Sequence, residues 1–317
     1  MNEIKITDIE NIKIGNAQDF GAGTGVTAII CEQGAPCGVF IGGGGPASRE
    51  TPLLSPLASA DKIHAIALCG GSAFGLDAAG GVMSFLEKKG IGFPTGFANV
   101  PLVCASGIYD LCVGDSSVRP DFDMGYRAAE AAYKGEFEIG SCGVGTGATV
   151  GKLLGTDFMM KSGIGAYAVS IGELKIGALV CVNALGDVYE DGRIICGMHS
   201  KDSFLNTEKT MFKNTEPVNN KFVSNTTIGA VITNAKLDKR QANKLAQMAA
   251  CGYARAIKPV FTSADGDSIY AMSVGKVSAD LDVLGTLAAC AAEKAIVSAV
   301  KNADSLFGIT CFKDIQR

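Results

Sequence analysis

Asn225-Thr226-Thr227 stands where a polar stretch gives way to an apolar strand pattern, Ile228-Gly229-Ala230-Val231-Ile232. A threonine hydroxyl placed there can attack the carbonyl that precedes it, cut the chain, and leave Thr226 as a new amino terminus. An alkyl hydroxyl is a poor nucleophile near neutral pH, whereas an α-amine with a pKa of about 7.7 to 8 can take its proton. Self-cleavage therefore makes the catalyst, and the product is expected to be an amide hydrolase. The residues alone leave a plainer alternative open, since two β-branched threonines also suit the start of a pleated strand.

Downstream, Phe261-Thr262-Ser263-Ala264-Asp265-Gly266-Asp267-Ser268-Ile269-Tyr270 carries two carboxylates on either side of a glycine, just as an alternating segment begins. Such a pair can turn to one side and approach a common atom, holding an ammonium and a hydroxyl at once. The same residues also read as an Asp-Gly turn that opens a hairpin. Upstream, Cys142-Gly143-Val144-Gly145-Thr146-Gly147-Ala148-Thr149-Val150-Gly151-Lys152 leads into an apolar stretch, and Val180-Cys181-Val182-Asn183 sets an amide at a strand end.

Five motifs in order carry a resemblance: Gly70-Gly71-Ser72-Ala73-Phe74-Gly75-Leu76-Asp77-Ala78-Ala79, Tyr109-Asp110-Leu111, Gly145 to Lys152, Asn225 to Gly229, and Asp265-Gly266-Asp267. Together they resemble the L-aminopeptidase D-esterase and nylon-oligomer hydrolase family, whose members are autoprocessed N-terminal-nucleophile amidases. The resemblance runs from about Gly21 to Ala291, nearly the whole chain. It implies an α/β protein, a four-layer α/β/β/α sandwich, in which residues 1–317 form one domain processed into an α fragment 1–225 and a β fragment 226–317.

Carried over by position, the resemblance implies that Thr226 is the nucleophile and that Asn225 becomes the carboxyl end of the larger fragment. It implies that Asp265 and Asp267 orient Thr226. Lys152 would ease negative charge near the hydroxyl or the developing oxyanion, and Tyr109 and Asn183 would donate hydrogen bonds to the substrate carbonyl. Without the resemblance, Lys152 is equally an ordinary surface lysine, Tyr109 a strand-end aromatic and Asn183 a turn residue. The Asn-Thr junction and the Asp-Gly-Asp motif look closer to the nylon-oligomer branch than to members with a serine nucleophile. The expected substrate is therefore a linear amide with methylene spacing, such as a 6-aminohexanoate oligomer. An aminopeptidase acting on β-amino acyl or small peptide amides is the alternative, and acyl transfer to an amine a further one. A homo-oligomer of αβ protomers, a tetramer, is also implied.

Composition narrows the partners. Lys+Arg 28 against Asp+Glu 32 gives a net charge of -4, which offers no basic field to a phosphate backbone, so no nucleic acid is expected. The first ten residues carry acids where a signal peptide needs a basic region followed by an apolar run. The most apolar helical stretch, Leu287 to Val300, is broken by Glu293 and Lys294 and reads as shorter than the ~20 residues that span a bilayer. The expectation is a cytoplasmic protein with no membrane partner. Eleven cysteines, none in a Cys-x-x-Cys pair, fall mostly inside apolar runs and point to a reducing compartment. With only His64 and His199 there is no metal-ligand spacing, so neither a metal nor another cofactor is expected. A thiol nucleophile, Cys69 with His64, is the nearest competitor, and a buried core cysteine is the simpler reading.

The elements that must position these residues alternate in type. Strand patterns run Val26 to Cys31, Gly38 to Ile41, Ala65 to Leu68, Gly165 to Ile171, Leu174 to Val182, Ile228 to Ile232 and Ile269 to Val274. Helical patterns run Ser72 to Lys89, Met124 to Lys134, Asp238 to Ile257 and Ala279 to Ala303. Ile164 to Val182, broken at Ile171-Gly172-Glu173, reads as a hairpin. Strands apolar on both sides require cover on both faces, which predicts two packed sheets with helices outside. His199 to Ser224 turns polar and loses periodicity, the composition of an exposed, mobile loop. A rival function class, a nucleotide-binding module, rests on the fingerprint Gly143 to Ala148 and on Gly42-Gly43-Gly44-Gly45 as an anion nest. Against it, Leu153 stands where a P-loop needs Ser or Thr, and no acid follows about 20 residues later.

Overall fold

The computed structural model describes residues 1–200, 203–213 and 225–315. Two sheets form its centre. The first has six strands in the order Asn2–Ile4, Ile164–Ile171, Leu174–Asn183, Thr226–Ala235, Ser268–Val277, Cys37–Ile41. The second has five, in the order Lys13–Asp19, Thr24–Ala35, Ile63–Cys69, Val103–Gly107, Ala47–Arg49.

Strand alternation decides what each face buries. On the central strand Thr226–Ala235, Ile228, Ala230 and Ile232 meet Ile29, Ile66, Leu68, Leu179 and Tyr270 between the sheets. Val231 points the other way, into a core shared with Ala178, Val180 and Val182 of the neighbouring strand and with the helices Lys239–Ala249 and Leu281–Asn302. On the second sheet Ala65, Ala67 and Cys69 pack under the helices Ala78–Lys88 and Phe122–Lys134. The result is the expected α/β/β/α layering.

Local chemistry sets the helix ends. Asp121 accepts from the Met124 amide, Asp238 and Gln241 form a reciprocal capping box, and Asp280 accepts from the Asp282 and Val283 amides. Gly125 lets the two outer helices of the second sheet touch, because a Cβ there would lie 1.8 Å from the Ala78 carbonyl oxygen.

All seven strand patterns and the Gly172-Glu173 hairpin are present. Five details differ from the sequence reading. Lys13–Asp19 and Val103–Gly107 are strands that no apolar run announced. The Asp238 to Ile257 stretch is two helices, Lys239–Ala249 and Cys251–Ala256. Leu281–Asn302 is a 22-residue helix, long and apolar enough by composition to cross a bilayer, with Leu284, Ala288, Ala292, Ala295 and Ile296 buried against the first sheet. Asp265-Gly266-Asp267 opens no hairpin: the strand it precedes runs parallel to Thr226–Ala235. Part of the polar segment after His199 is packed, since His199 pairs with Phe204 and the helix Thr207–Met211 is tied to buried Asp187 by the Thr207 amide and hydroxyl at 2.6 and 2.7 Å. The rest of that segment, 201–202 and 214–224, lies outside the described residues.

Candidate active site

Strand register brings the sequence motifs together. Thr226 is the first residue of the central strand and pairs with Asn183, the last residue of the antiparallel strand on one edge. On the other edge the parallel strand begins at Ser268, directly after Asp267, and Asn225 bridges Asp265. Thr226 thus sits between Asn183 on one flank and Asp265-Gly266-Asp267 on the other.

Thr226 is 4% exposed and its hydroxyl donates to the carbonyl oxygen of Asn225. That carbonyl also accepts from the Gly266 amide at 2.8 Å. On the Asn183 flank, the Asn183 carboxamide oxygen accepts from the Thr149 amide at 3.0 Å and from the Lys152 ammonium at 2.8 Å. Lys152 Nζ also reaches the Asn183 backbone carbonyl at 2.9 Å. Lys152 is fully buried, so its reading as a surface lysine is wrong. Burial pushes its pKa down to about 8, with Cys112, Asp265, Cys181 and Asp110 opposing the fall.

Asn183 and Tyr109 are adjacent, though not as two donors converging on one point. The Asn183 carboxamide nitrogen donates to the Tyr109 carbonyl at 3.0 Å, and half-buried Tyr109 is joined to the site by that backbone contact. Asp265 and Asp267 are both buried. They hold backbone rather than the Thr226 side chain: Asp267 accepts from the amides of Thr227 and Phe261, and Asp265 from the Thr262 amide and hydroxyl and the Leu185 amide. Burial raises both carboxyl pKa values, and the neighbouring Asp265 charge raises Asp267 further.

Three contributors escaped the sequence reading. Asp110, next to Tyr109, is buried and accepts from the Gly71 amide at 2.6 Å and from the Thr24 hydroxyl at 2.7 Å; burial lifts its pKa to about 6. Lys161, also fully buried, donates to the carbonyls of Gly145 and Ala148, in the turn that leads into Thr149, and to that of neighbouring Ser162. Gly266 supplies the amide already described. Asp110 and Gly266 had a visible signal, their places in quoted motifs, and Lys161 had none.

The rival chemistries have no site here. Gly143–Gly145 is a single 3₁₀ turn followed by the strand Thr149–Val150, and its amides go to Gln18, Thr27 and Cys142. In the glycine run, the amides of Gly42 and Gly43 donate to the Asp267 carbonyl, Gly44 to Thr262 and Gly45 to Asp265, which leaves no anion nest. His64 and Cys69 stand at opposite ends of one strand, with His64 Nδ1 accepting from the Leu102 amide and the Cys69 thiol pushed up to about 12 by burial.

Comparison with known proteins adds four findings. The model of peptidase family S58 matches residues 4–311. An uncharacterized aminopeptidase of Mycobacterium leprae (strain TN) is 33% identical over 345 residues, covering 97% of this chain and 92% of that one. A 6-aminohexanoate-oligomer endohydrolase of Kocuria sp. (strain KY2) is 29% identical over 314 residues, covering 93% of this chain and 85% of that one. The solved L-aminopeptidase D-Ala-esterase/amidase from Ochrobactrum anthropi, described as a variant of the Ntn hydrolase fold, matches with a TM-score of 0.72 at 18% identity, covering 96% of this chain and 87% of that one.

Proposed function

The chain belongs to peptidase family S58 and is a hydrolase acting on amides; on that premise we propose that it cuts itself at Asn225–Thr226 and then uses Thr226 as an N-terminal nucleophile. The observation that carries this reading is the Thr226 hydroxyl seated on the Asn225 carbonyl at the buried mouth of the central strand. In the first step Thr226 Oγ bonds to the Asn225 carbonyl carbon, the C–N bond breaks, and the hydroxyl proton passes to the Thr226 nitrogen. Water then cleaves the ester, leaving an Asn225 carboxylate and a free Thr226 amine and hydroxyl. In turnover the amine takes the Thr226 hydroxyl proton as Oγ attacks the substrate carbonyl, and water releases the acyl group.

Within this reading Lys152 and Asn183 stabilise negative charge on the substrate side, with Tyr109 beside them. Asp265 and Asp267 orient Thr226 indirectly, by fixing the backbone at Thr227 and the turn at Thr262. The substrate is a linear amide, and 6-aminohexanoate oligomers are the first choice because the junction motif is Asn-Thr and the chain, with 7% aromatic residues and no Trp, is better suited to aliphatic chains than to rings. Aminopeptidase action on β-amino acyl or small peptide amides is the second choice, favoured by the aminopeptidase among the relatives. The reading extends to a tetramer of αβ protomers in the cytoplasm, a reducing compartment that suits eleven free cysteines. Sedimentation at micromolar concentration showing a single αβ unit refutes the tetramer.

Intact mass and amino-terminal sequencing of the purified protein test the core of the proposal. Fragments ending at Asn225 and beginning at Thr226 are expected, with Thr226→Ala abolishing both cleavage and hydrolysis and Thr226→Ser retaining some of each. A fully active chain that never cleaves sinks the nucleophile.

A further inference from the structure

We infer that the backbone amide of Gly266 is the oxyanion donor for self-cleavage, a role separate from that of the groups that serve turnover. The inference rests on the reading of Thr226 given above. Attack on the Asn225 carbonyl turns its oxygen into an oxyanion, and the Gly266 N–H lies 2.8 Å from that oxygen in the uncut chain. This matches the separation at which a preorganised donor stabilises developing charge.

Strand geometry makes the assignment specific. The carbonyl and N–H of one trans peptide group point to opposite edges of a strand. The Asn225 carbonyl is directed to the Gly266 edge, whereas Asn183, Lys152 and Thr149 form their network on the opposite edge. Donors on that second edge are placed for a substrate carbonyl that arrives from elsewhere.

The donor is rigidly held. Gly45 donates to the Asp265 carbonyl at 2.9 Å, Gly42 and Gly43 to the Asp267 carbonyl at 3.0 and 3.2 Å, and Asp267 ties the Thr227 amide next to the scissile bond. Glycine is required at 266 because a Cβ would fall 2.9 Å from Thr226 Oγ1 and 2.8 Å from the Gly45 carbonyl oxygen. The glycine run that resembled an anion nest thus clamps a single backbone donor.

The test replaces the Asp265–Gly266 amide of the full chain by an ester, which deletes the N–H and adds no side chain. Cleavage is followed by intact mass, beside native chain and Thr226→Ala. The expected result is a folded chain whose cleavage at Asn225–Thr226 slows about 100-fold or more, while hydrolysis per cut protomer stays within about tenfold of native. Cleavage within a few-fold of native overturns the inference and leaves the Thr226 reading intact; equal loss of turnover also overturns it, since the donor then serves both reactions. Failure of native chain to cleave, or cleavage of Thr226→Ala, overturns the underlying reading instead. A second measurement avoids the ester: in folded Thr226→Ala the Gly266 amide proton is expected to be protected from solvent exchange, and exchange at the unfolded-chain rate overturns the assignment.

Discussion

Lys152→Met asks whether the buried ammonium serves the reaction or the fold. Burial, partly offset by nearby charges, lowers the Lys152 pKa from 10.5 to about 8, and at about 1.36 kcal/mol per pKa unit the charged form carries a net cost of about 3 kcal/mol. Methionine removes that cost and keeps the volume. It also takes a donor from the two Asn183 oxygens reached at 2.9 and 2.8 Å, worth about 1 to 3 kcal/mol for each buried acceptor. The two effects offset to within about 3 kcal/mol, so thermal unfolding should shift by no more than about 10 °C. Catalysis has no such offset. Loss of a charged group beside a developing oxyanion is expected to cost about 3 to 4 kcal/mol, roughly 100- to 1000-fold in kcat.

The assay is hydrolysis of a 6-aminohexanoate oligomer per cut protomer, with scanning calorimetry on the same samples. The sign of the pH effect follows from the same group. Lys152 is charged below about pH 8, so native kcat should decline as pH rises through that value, and the methionine variant should lose this alkaline limb. A folded variant with kcat within tenfold of native refutes the role assigned to Lys152.

Asp267→Asn should slow cleavage and turnover about 100-fold, since an amide can accept at only one of the two positions that receive the Thr227 and Phe261 amides. Because Asp265 and Asp267 have raised pKa values, the folded state holds a proton that the unfolded state releases; stability should fall as pH climbs from the ordinary carboxylate range toward neutral, and the variant should flatten that slope in thermal scans. The two fragments should run apart on a denaturing gel and together in native mass spectrometry; spontaneous separation at micromolar concentration contradicts the shared core. Specificity constants should favour 6-aminohexanoate oligomers over L-dipeptide amides, and a preference above about 100-fold for the latter, near 2.7 kcal/mol in transition-state binding, transfers the assignment to aminopeptidase.

The layered fold was legible wherever a strand is apolar on both faces, as in Leu174–Asn183 and Thr226–Ala235. Lys13–Asp19 was not, because it packs through absence of side chain: a Cβ on Gly15 would lie 2.0 Å from the Ala132 nitrogen of the covering helix. For the site, residue types and motif order singled out Thr226, Asn183, Lys152, Tyr109 and the two aspartates as candidates. Their convergence depends on the registers Asn183 to Thr226 and Ile228 to Ser268, which no local pattern encodes. Burial was the least legible property. Lysine is almost never fully buried, yet Lys152 and Lys161 both are, because backbone carbonyls of Asn183 at a strand end and of Gly145 and Ala148 in the glycine-rich turn accept from their ammonium groups.

The arrangement of strands also suits the proposed cut at Asn225–Thr226. Thr226–Ala235 and Ser268–Val277, both after the junction, lie side by side between Leu174–Asn183 and Cys37–Ile41, both before it. Separating the pieces requires breaking eight residue pairs on one edge and five on the other, and exposing the apolar cores on both faces of the sheet. The proposed cleavage would remove one covalent bond at a strand end, outside the run of those pairs. On that reading the cut would change chemistry without changing scaffold. On the proposed reading it would turn the amide nitrogen of Thr226 into an amine beside Asn183, whose carboxamide oxygen accepts from the Lys152 ammonium at 2.8 Å.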